Sequence, residues 1–128
     1  MHYTIITGAS SGIGAALAEH LASTDQTLLC LSRRDNPRLQ EIARERGCEL
    51  FYYRFDLEHS EQITDFAEEI FGRISRDDAE SVTLVNNAGV IEPVGQIQRI
   101  APSELLGNIT INLTSPVVLT THFLHRFS

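Results

Sequence analysis

One octapeptide constrains this chain more than any other: Thr7-Gly8-Ala9-Ser10-Ser11-Gly12-Ile13-Gly14. It follows an apolar run, Tyr3-Thr4-Ile5-Ile6, and leads into Ala15-Ala16-Leu17-Ala18. That order is strand, glycine turn, helix. Glycines let a backbone turn tightly and come close to a ligand. The start of the helix that follows offers free N–H groups and the positive end of its dipole. The Gly-x-x-x-Gly-x-Gly spacing is a variant of the dinucleotide-binding turn and reads as a phosphate site. A short turn without a ligand is the plain alternative, and the flanking strand and helix weigh against it.

The rest of the chain repeats the alternation. Apolar runs at 2–7, 26–32, 49–55 and 81–86 read as strands. Amphipathic stretches at 12–23, 36–46 and 60–74 read as helices. The first is expected to bury Ile13, Leu17, Ala18 and Leu21. The second has Pro37 in its first turn and Gly47 past its end, and the third opens on a Ser60 cap. A shorter helical segment spans 102–111, opened by Pro102 and Ser103, and an apolar helix spans 113–127 with Pro116 in its first turn. Strands alternating with helices predict an α/β fold, a doubly wound parallel sheet in the order 3-2-1-4. Its ligand crevice then lies at the carboxyl ends of strands one and four, where the order reverses.

Composition narrows the function. The 128 residues suffice for one domain with a core, and 42% apolar content excludes disorder. No apolar run is long enough to cross a membrane and no secretory signal precedes the first strand, so a cytoplasmic chain is expected. A net charge of −7 without a basic stripe opposes a nucleic-acid partner. Cys30 reads as a small core residue, and Cys48 precedes the third strand. No Cys/His cluster has metal-ligand spacing, and His122 with His125 fits a helix surface.

The positions just after the strands carry the chemistry. They are the glycine turn, then Ser32-Arg33-Arg34, then Asp56-Leu57, then Asn86-Asn87-Ala88-Gly89. Each is ordinary alone, since Asp after a strand is often a helix cap and Asn-Gly stretches are often turns. Together they occupy the places where one crevice would be lined. An NAD site usually carries an acid about 20 residues beyond its glycines, to accept from the ribose 2′-hydroxyl. Here Ser32 stands at that point, followed by two arginines. A guanidinium suits a phosphate, which an acid would repel, so NADP is expected over NAD. Solvated loop arginines are the alternative.

The glycine octapeptide together with Asn86-Asn87-Ala88-Gly89 resembles the short-chain dehydrogenase/reductase family, at the family's spacing and over the whole chain. His2 to Gly14, the Ser-Arg-Arg-Asp segment and Ile111-Asn112-Leu113-Thr114-Ser115-Pro116 resemble its benzil and sepiapterin reductase-like branch. The resemblance implies a Rossmann-type NADP-binding domain over residues 1–128. In it, Gly8, Ser10, Ser11, Gly12, Ile13 and Gly14 would hold the pyrophosphate and its neighbouring ribose. Arg33 would meet the 2′-phosphate with Arg34 beside it, and Asp56 would bind the adenine amino group next to Leu57. Asn86 and Ala88 would line the adenosine-side ribose, while Asn87 and Gly89 fix strand four and its turn. Asn112 falls on the family's catalytic asparagine, which kinks a helix and holds a water in a proton relay; a helix-interrupting polar residue is the alternative.

The resemblance covers the family's amino-terminal half. Its catalytic serine and Tyr-x-x-x-Lys have no counterpart: the tyrosines are Tyr3, Tyr52 and Tyr53, and all ten basic side chains are arginine. The general acid for hydride transfer is therefore missing. Two functions remain open. One is an NADP-dependent reductase of a small-molecule ketone or diketone, homo-oligomeric when intact, of which this is one half. The other is a non-catalytic dinucleotide-binding or regulatory module. Strand four, Val82-Thr83-Leu84-Val85, reads as a central strand placed at an edge, and 113–127 is apolar on more than one face. Both features lead to the expectation of a truncated polypeptide that ends before a fifth strand, inactive alone and prone to self-association.

Overall fold

Beta-branched and leucine-rich runs pair as four parallel strands in the order β3-β2-β1-β4. The strands are β1 (His2–Thr7), β2 (Gln26–Ser32), β3 (Glu49–Arg54) and β4 (Ser81–Val85). The computed structural model describes all 128 residues. Between the strands run α1 (Gly12–Leu21), α2 (Pro37–Glu45) and α3 (Ile63–Phe71). After β4 come α4 (Pro102–Ile109) and α5 (Ser115–Phe127). Register aligns Ile5 with Leu29 and Leu84, and Ile6 with Cys30 and Val85. The topology is thus the doubly wound parallel sheet that the sequence predicts, with β1 at the point where the strand order reverses.

Strand alternation divides the core in two. Ile5, Leu29 and Leu31 point to the α3/α5 face, where they meet Ile63, Ile70, Phe71 and Leu119. Phe71 stands edge-on to Phe123 and Phe127, and Phe55 stacks on Phe66 with centroids 4.0 Å apart. Ile6, Leu28 and Cys30 point to the other face, against Ala18, Ala22, Leu39 and Ala43. Burying each large aliphatic side chain contributes about 1.5–3 kcal/mol. Most of the helix residues on the second face are small, so α1 and α2 pack close to the sheet.

Local chemistry explains the helix ends. Asn36 caps α2, its side chain accepting from Leu39 N at 3.1 Å, and Pro37 opens the first turn. Gly47 follows that helix with φ +66°. Four expectations need correction. Helix α1 docks through Gly14 and Ala18, four residues apart, which rotates Ile13 outward to 80% exposure. Ser60 makes no side-chain cap, because a 3₁₀ turn at Ser60–Gln62 precedes α3. That helix also ends at Phe71, short of residue 74. Finally, the two helices expected near the carboxyl end are one continuous rod, α4 and α5 joined by a π-helical turn at Thr110–Thr114. Ser115 at the start of α5 is fully buried and donates to the Leu57 carbonyl, fixing the rod to the loop after β3.

Cys30 is fully buried between the sheet and α2. Burial, and secondarily the neighbouring Cys48, pushes its pKa up to about 12. The native thiol is therefore neutral and shielded, and only a thiolate attacks a disulfide reagent. Cys30 is expected to stay unlabelled by such a reagent at pH 8 in the native state and to label on unfolding. Folding raises this pKa, so its contribution to stability is complete below pH 9.0, the unfolded value, and declines as pH climbs toward 12. Rapid native labelling would contradict this packing.

Candidate functional site

The site is built around a knot of hydrogen bonds between the ends of β1 and β4. Thr7 is buried, and its Oγ1 accepts from Asn87 N at 3.0 Å and Ala88 N at 2.9 Å. The Asn87 amide reaches back to donate to the carbonyls of Thr7 and Gly8, at 3.1 and 3.2 Å. Gly8 and Gly14 make room for this. Gly8 has φ +73°, and a Cβ there would lie 2.9 Å from Ala88 Cα. A Cβ on Gly14 would lie 2.5 Å from Asn87 Nδ2 and closer still to the Gly8 carbonyl oxygen. Only backbone fits between the turn, the helix start and Asn87.

Beside the knot, at the carboxyl ends of all four strands, lies a cavity of about 340 Å³. The glycine turn contributes Gly8, Ser10 and Ser11. The segment after β2 contributes Ser32, Arg33 and Arg34, and the segment after β3 contributes Asp56 and Leu57. Asn87, Ala88 and Gly89 come from the segment after β4. An apolar wall of Leu31, Phe55, Val90 and Ile111 completes the lining. Sequence reasoning did not single these four out. Phe55, Val90 and Ile111 directly adjoin Asp56, Gly89 and Asn112, and that adjacency is the available signal.

Charge in this cavity is arranged by pairing elsewhere. Neither Arg33 nor Arg34 lies within ion-pair distance of a carboxylate. Asp35, the nearest acid in sequence, instead faces Arg54 at 3.9 Å. Asp56 Oδ1 accepts from Glu58 N at 2.9 Å, which leaves Oδ2 without a protein partner.

Five of the expected residues do not line the cavity. Gly12, Ile13 and Gly14 form the first turn of α1 beside it; Gly12 has φ +59° and open space where a Cβ would stand. Asn86 is turned away, its amide donating to Thr120 Oγ1 on α5 at 2.9 Å. Asn112 lies in the π turn and mimics a strand partner of Val90. Its Oδ1 accepts from Val90 N at 2.8 Å, and its Nδ2 donates to Val90 O at 2.7 Å. Asn108, one turn earlier, donates to the carbonyls of Val90 and Glu92. These two asparagines hold the loop after β4 against α4. Asn108 carries no local sequence signal, since its partners are 16 and 18 residues away.

Known proteins match this geometry. The family model for short chain dehydrogenases matches residues 2–128. The chain belongs to the short-chain dehydrogenase/reductase family. Among the relatives of this short-chain dehydrogenase/reductase, a benzil reductase ((S)-benzoin forming) from Bacillus cereus is 33% identical over 124 residues, 97% of this chain and 50% of that protein. A sepiapterin reductase from Bos taurus is 30% identical over 132 residues, 96% of this chain and 49% of that one. A short-chain dehydrogenase/reductase from Burkholderia vietnamiensis superposes with TM-score 0.85 at 28% identity, covering 98% of this chain and 59% of that chain. A metagenomic short-chain oxidoreductase in complex with NADP superposes with TM-score 0.79 at 33% identity, covering 98% and 56%. The chain spans about half the length of the curated relatives it matches.

The Gly14 contact makes a direct prediction for this short-chain dehydrogenase/reductase. Gly14→Ala drives a methyl into the Gly8 carbonyl and the Asn87 amide, both backbone-anchored. Overpacking of this kind costs about 1–3 kcal/mol. The denaturant midpoint should fall by the corresponding amount without a change in slope. An unchanged midpoint would show that the knot yields freely.

Proposed function

We propose that the intact polypeptide is an NADP-dependent carbonyl reductase acting on a ketone or diketone. The observation that carries this reading is the pair of unpaired guanidiniums, Arg33 and Arg34, at the cavity wall where an NAD-selective site would carry an acid. Gly12 faces open space at the helix start, so a pyrophosphate can approach the N–H groups of α1 without a side chain in the way. Asp56 Oδ2 is available to accept from an adenine amino group, flanked by the apolar wall. The residues present thus fit the dinucleotide.

When bound, the reduced dinucleotide supplies the hydride. This chain's own residues bind and orient: Ser10, Ser11 and the first turn of α1 hold phosphate and ribose, and Arg33 with Arg34 holds the 2′-phosphate. Asn112 is proposed to hold a water of a proton relay. The π turn supports this, because it interrupts the regular i→i−4 ladder beside that residue. The benzil reductase and sepiapterin reductase relatives support a carbonyl substrate. No lysine and no Tyr-x-x-x-Lys occur among the 128 residues, so the reading assigns the proton donor to the rest of the intact polypeptide, which is proposed to be homo-oligomeric. The same absence keeps a second reading alive, a dinucleotide-binding module without catalysis.

Arg33→Ala tests the cofactor assignment. Losing one charge-assisted contact to phosphate costs about 1.5–3 kcal/mol, roughly 10- to 100-fold in affinity. Titration should show that loss for NADPH and almost none for NADH; equal loss for both would refute the assignment. Turnover is a separate test. The intact polypeptide is expected to consume NADPH with a diketone, whereas tight NADPH binding without turnover would favour the binding module.

A further inference from the structure

The arginine segment is held in an unusual way. Arg33, Arg34 and Asp35 take part in no backbone–backbone hydrogen bond, although they connect a fully paired strand to a capped helix. Their side chains do not anchor them either: the contact between Asp35 and Arg54 is 3.9 Å long and more than half exposed on both sides, which makes it worth little. Two neutral side chains do the holding. The Tyr52 hydroxyl, on β3, donates to the Arg34 carbonyl at 2.8 Å. A phenol keeps its proton at neutral pH in any case, and burial moves this one further from titrating. Asn36 is buried at the other end of the segment, and its amide donates to the Ala9 carbonyl in the glycine turn at 2.9 Å. Its carbonyl oxygen accepts from Leu39 N at the same time. One side chain therefore ties the helix that follows the arginines to the turn that faces the phosphates.

We infer that Tyr52 and Asn36 are positioning residues that hold the Arg33–Arg34 backbone against the glycine turn and so set the selectivity for a 2′-phosphorylated dinucleotide. The inference rests on the proposed NADP reading. A guanidinium on a long flexible side chain binds a phosphate well only where its backbone is already placed; otherwise binding must also order the loop. The glycine turn has a support of its own at Thr7 and Gly8, where Asn87 binds it, and Tyr52 does not touch it; Asn36 holds it only at the Ala9 carbonyl. Loosening the arginine segment therefore affects the 2′-phosphate selectively and leaves the remaining nucleotide contacts in place. A role in stability alone predicts a different pattern, an equal loss for every nucleotide.

The test uses 2′,5′-ADP and 5′-AMP as probes, titrated calorimetrically into the intact polypeptide. Tyr52→Phe removes only the hydroxyl. Asn36→Ser keeps a helix cap but is too short to reach Ala9. Tyr52→Phe should weaken 2′,5′-ADP roughly 3- to 10-fold, the effect of one lost neutral hydrogen bond, and keep 5′-AMP within about twofold, whereas Asn36→Ser, which also frees Ala9, should weaken 2′,5′-ADP by a similar factor and 5′-AMP by distinctly less. Wild-type affinity for 2′,5′-ADP in both variants, or an equal loss for the two probes, overturns the positioning role while leaving the NADP reading intact. A wild-type protein that binds the two probes equally overturns the NADP reading, and the positioning role with it.

Discussion

The structure turns on the hydrogen-bond knot between Thr7, Gly8 and Asn87. In a parallel sheet the ends of neighbouring strands are joined only by the ladder, and past the last bond they are free to diverge. Here one threonine hydroxyl accepts from two successive N–H groups, and one asparagine amide donates to two successive carbonyls. The four bonds carry the pairing of β1 with β4 beyond the end of the sheet. They also give partners to backbone groups past the ends of both strands. The carbonyl of Gly8 is held down, which places the rest of the glycine turn over the cavity. The arginine segment, the loop after β3 and the loop after β4 are tethered in turn around this fixed edge.

The two faces of the sheet serve this edge differently. On the α1/α2 face the helices present mostly alanines to Ile6, Leu28 and Cys30 of the sheet, and α1 comes close enough for Gly14 to touch the Gly8 carbonyl. That closeness aims the helix start at the crevice. On the α3/α5 face the core is aliphatic and aromatic, and it supports a rod interrupted by a π turn. The rod brings Asn108 and Asn112 to the loop after β4 and closes that side of the cavity. A close-packed face orients the glycine turn and the start of α1, and a bulky face with a local irregularity carries the loop after β4.

Much of this was legible in the residues. The strand order follows from the alternation of apolar runs with amphipathic stretches, and the cavity falls at the strand ends because a doubly wound sheet has its crevice there. Ten of the fifteen singled-out residues line that cavity, and the others stand beside it for identifiable reasons. Hydrophobic periodicity turns Ile13 inward because it assumes that the largest residues face the core. In α1 the small residues do so, and packing distance outweighs apolar area. The π turn lies where the family resemblance expects Asn112 to kink a helix, whereas composition gives no sign of it, because it changes only the hydrogen-bond register. Asn86 stands in sequence beside residues that line the crevice, but the chain turns tightly there, with Asn87 N donating to Val85 O, and the Asn86 amide is taken by Thr120 on α5. Asn36 and Tyr52 were out of reach, since their bonds span 27 and 18 residues.

The central claim is that the cavity holds a dinucleotide whose 2′-phosphate lies against Arg33 and Arg34. Phosphorus NMR of bound NADP, followed through a pH titration of the intact polypeptide, reads that phosphate directly. Beside two guanidiniums the dianion is favoured. The 2′-phosphate resonance should therefore titrate at a distinctly lower pH than in free NADP, and Arg33→Ala should return most of the shift. A bound 2′-phosphate that titrates as it does in water would mean that it faces solvent, and that the arginines serve some other purpose.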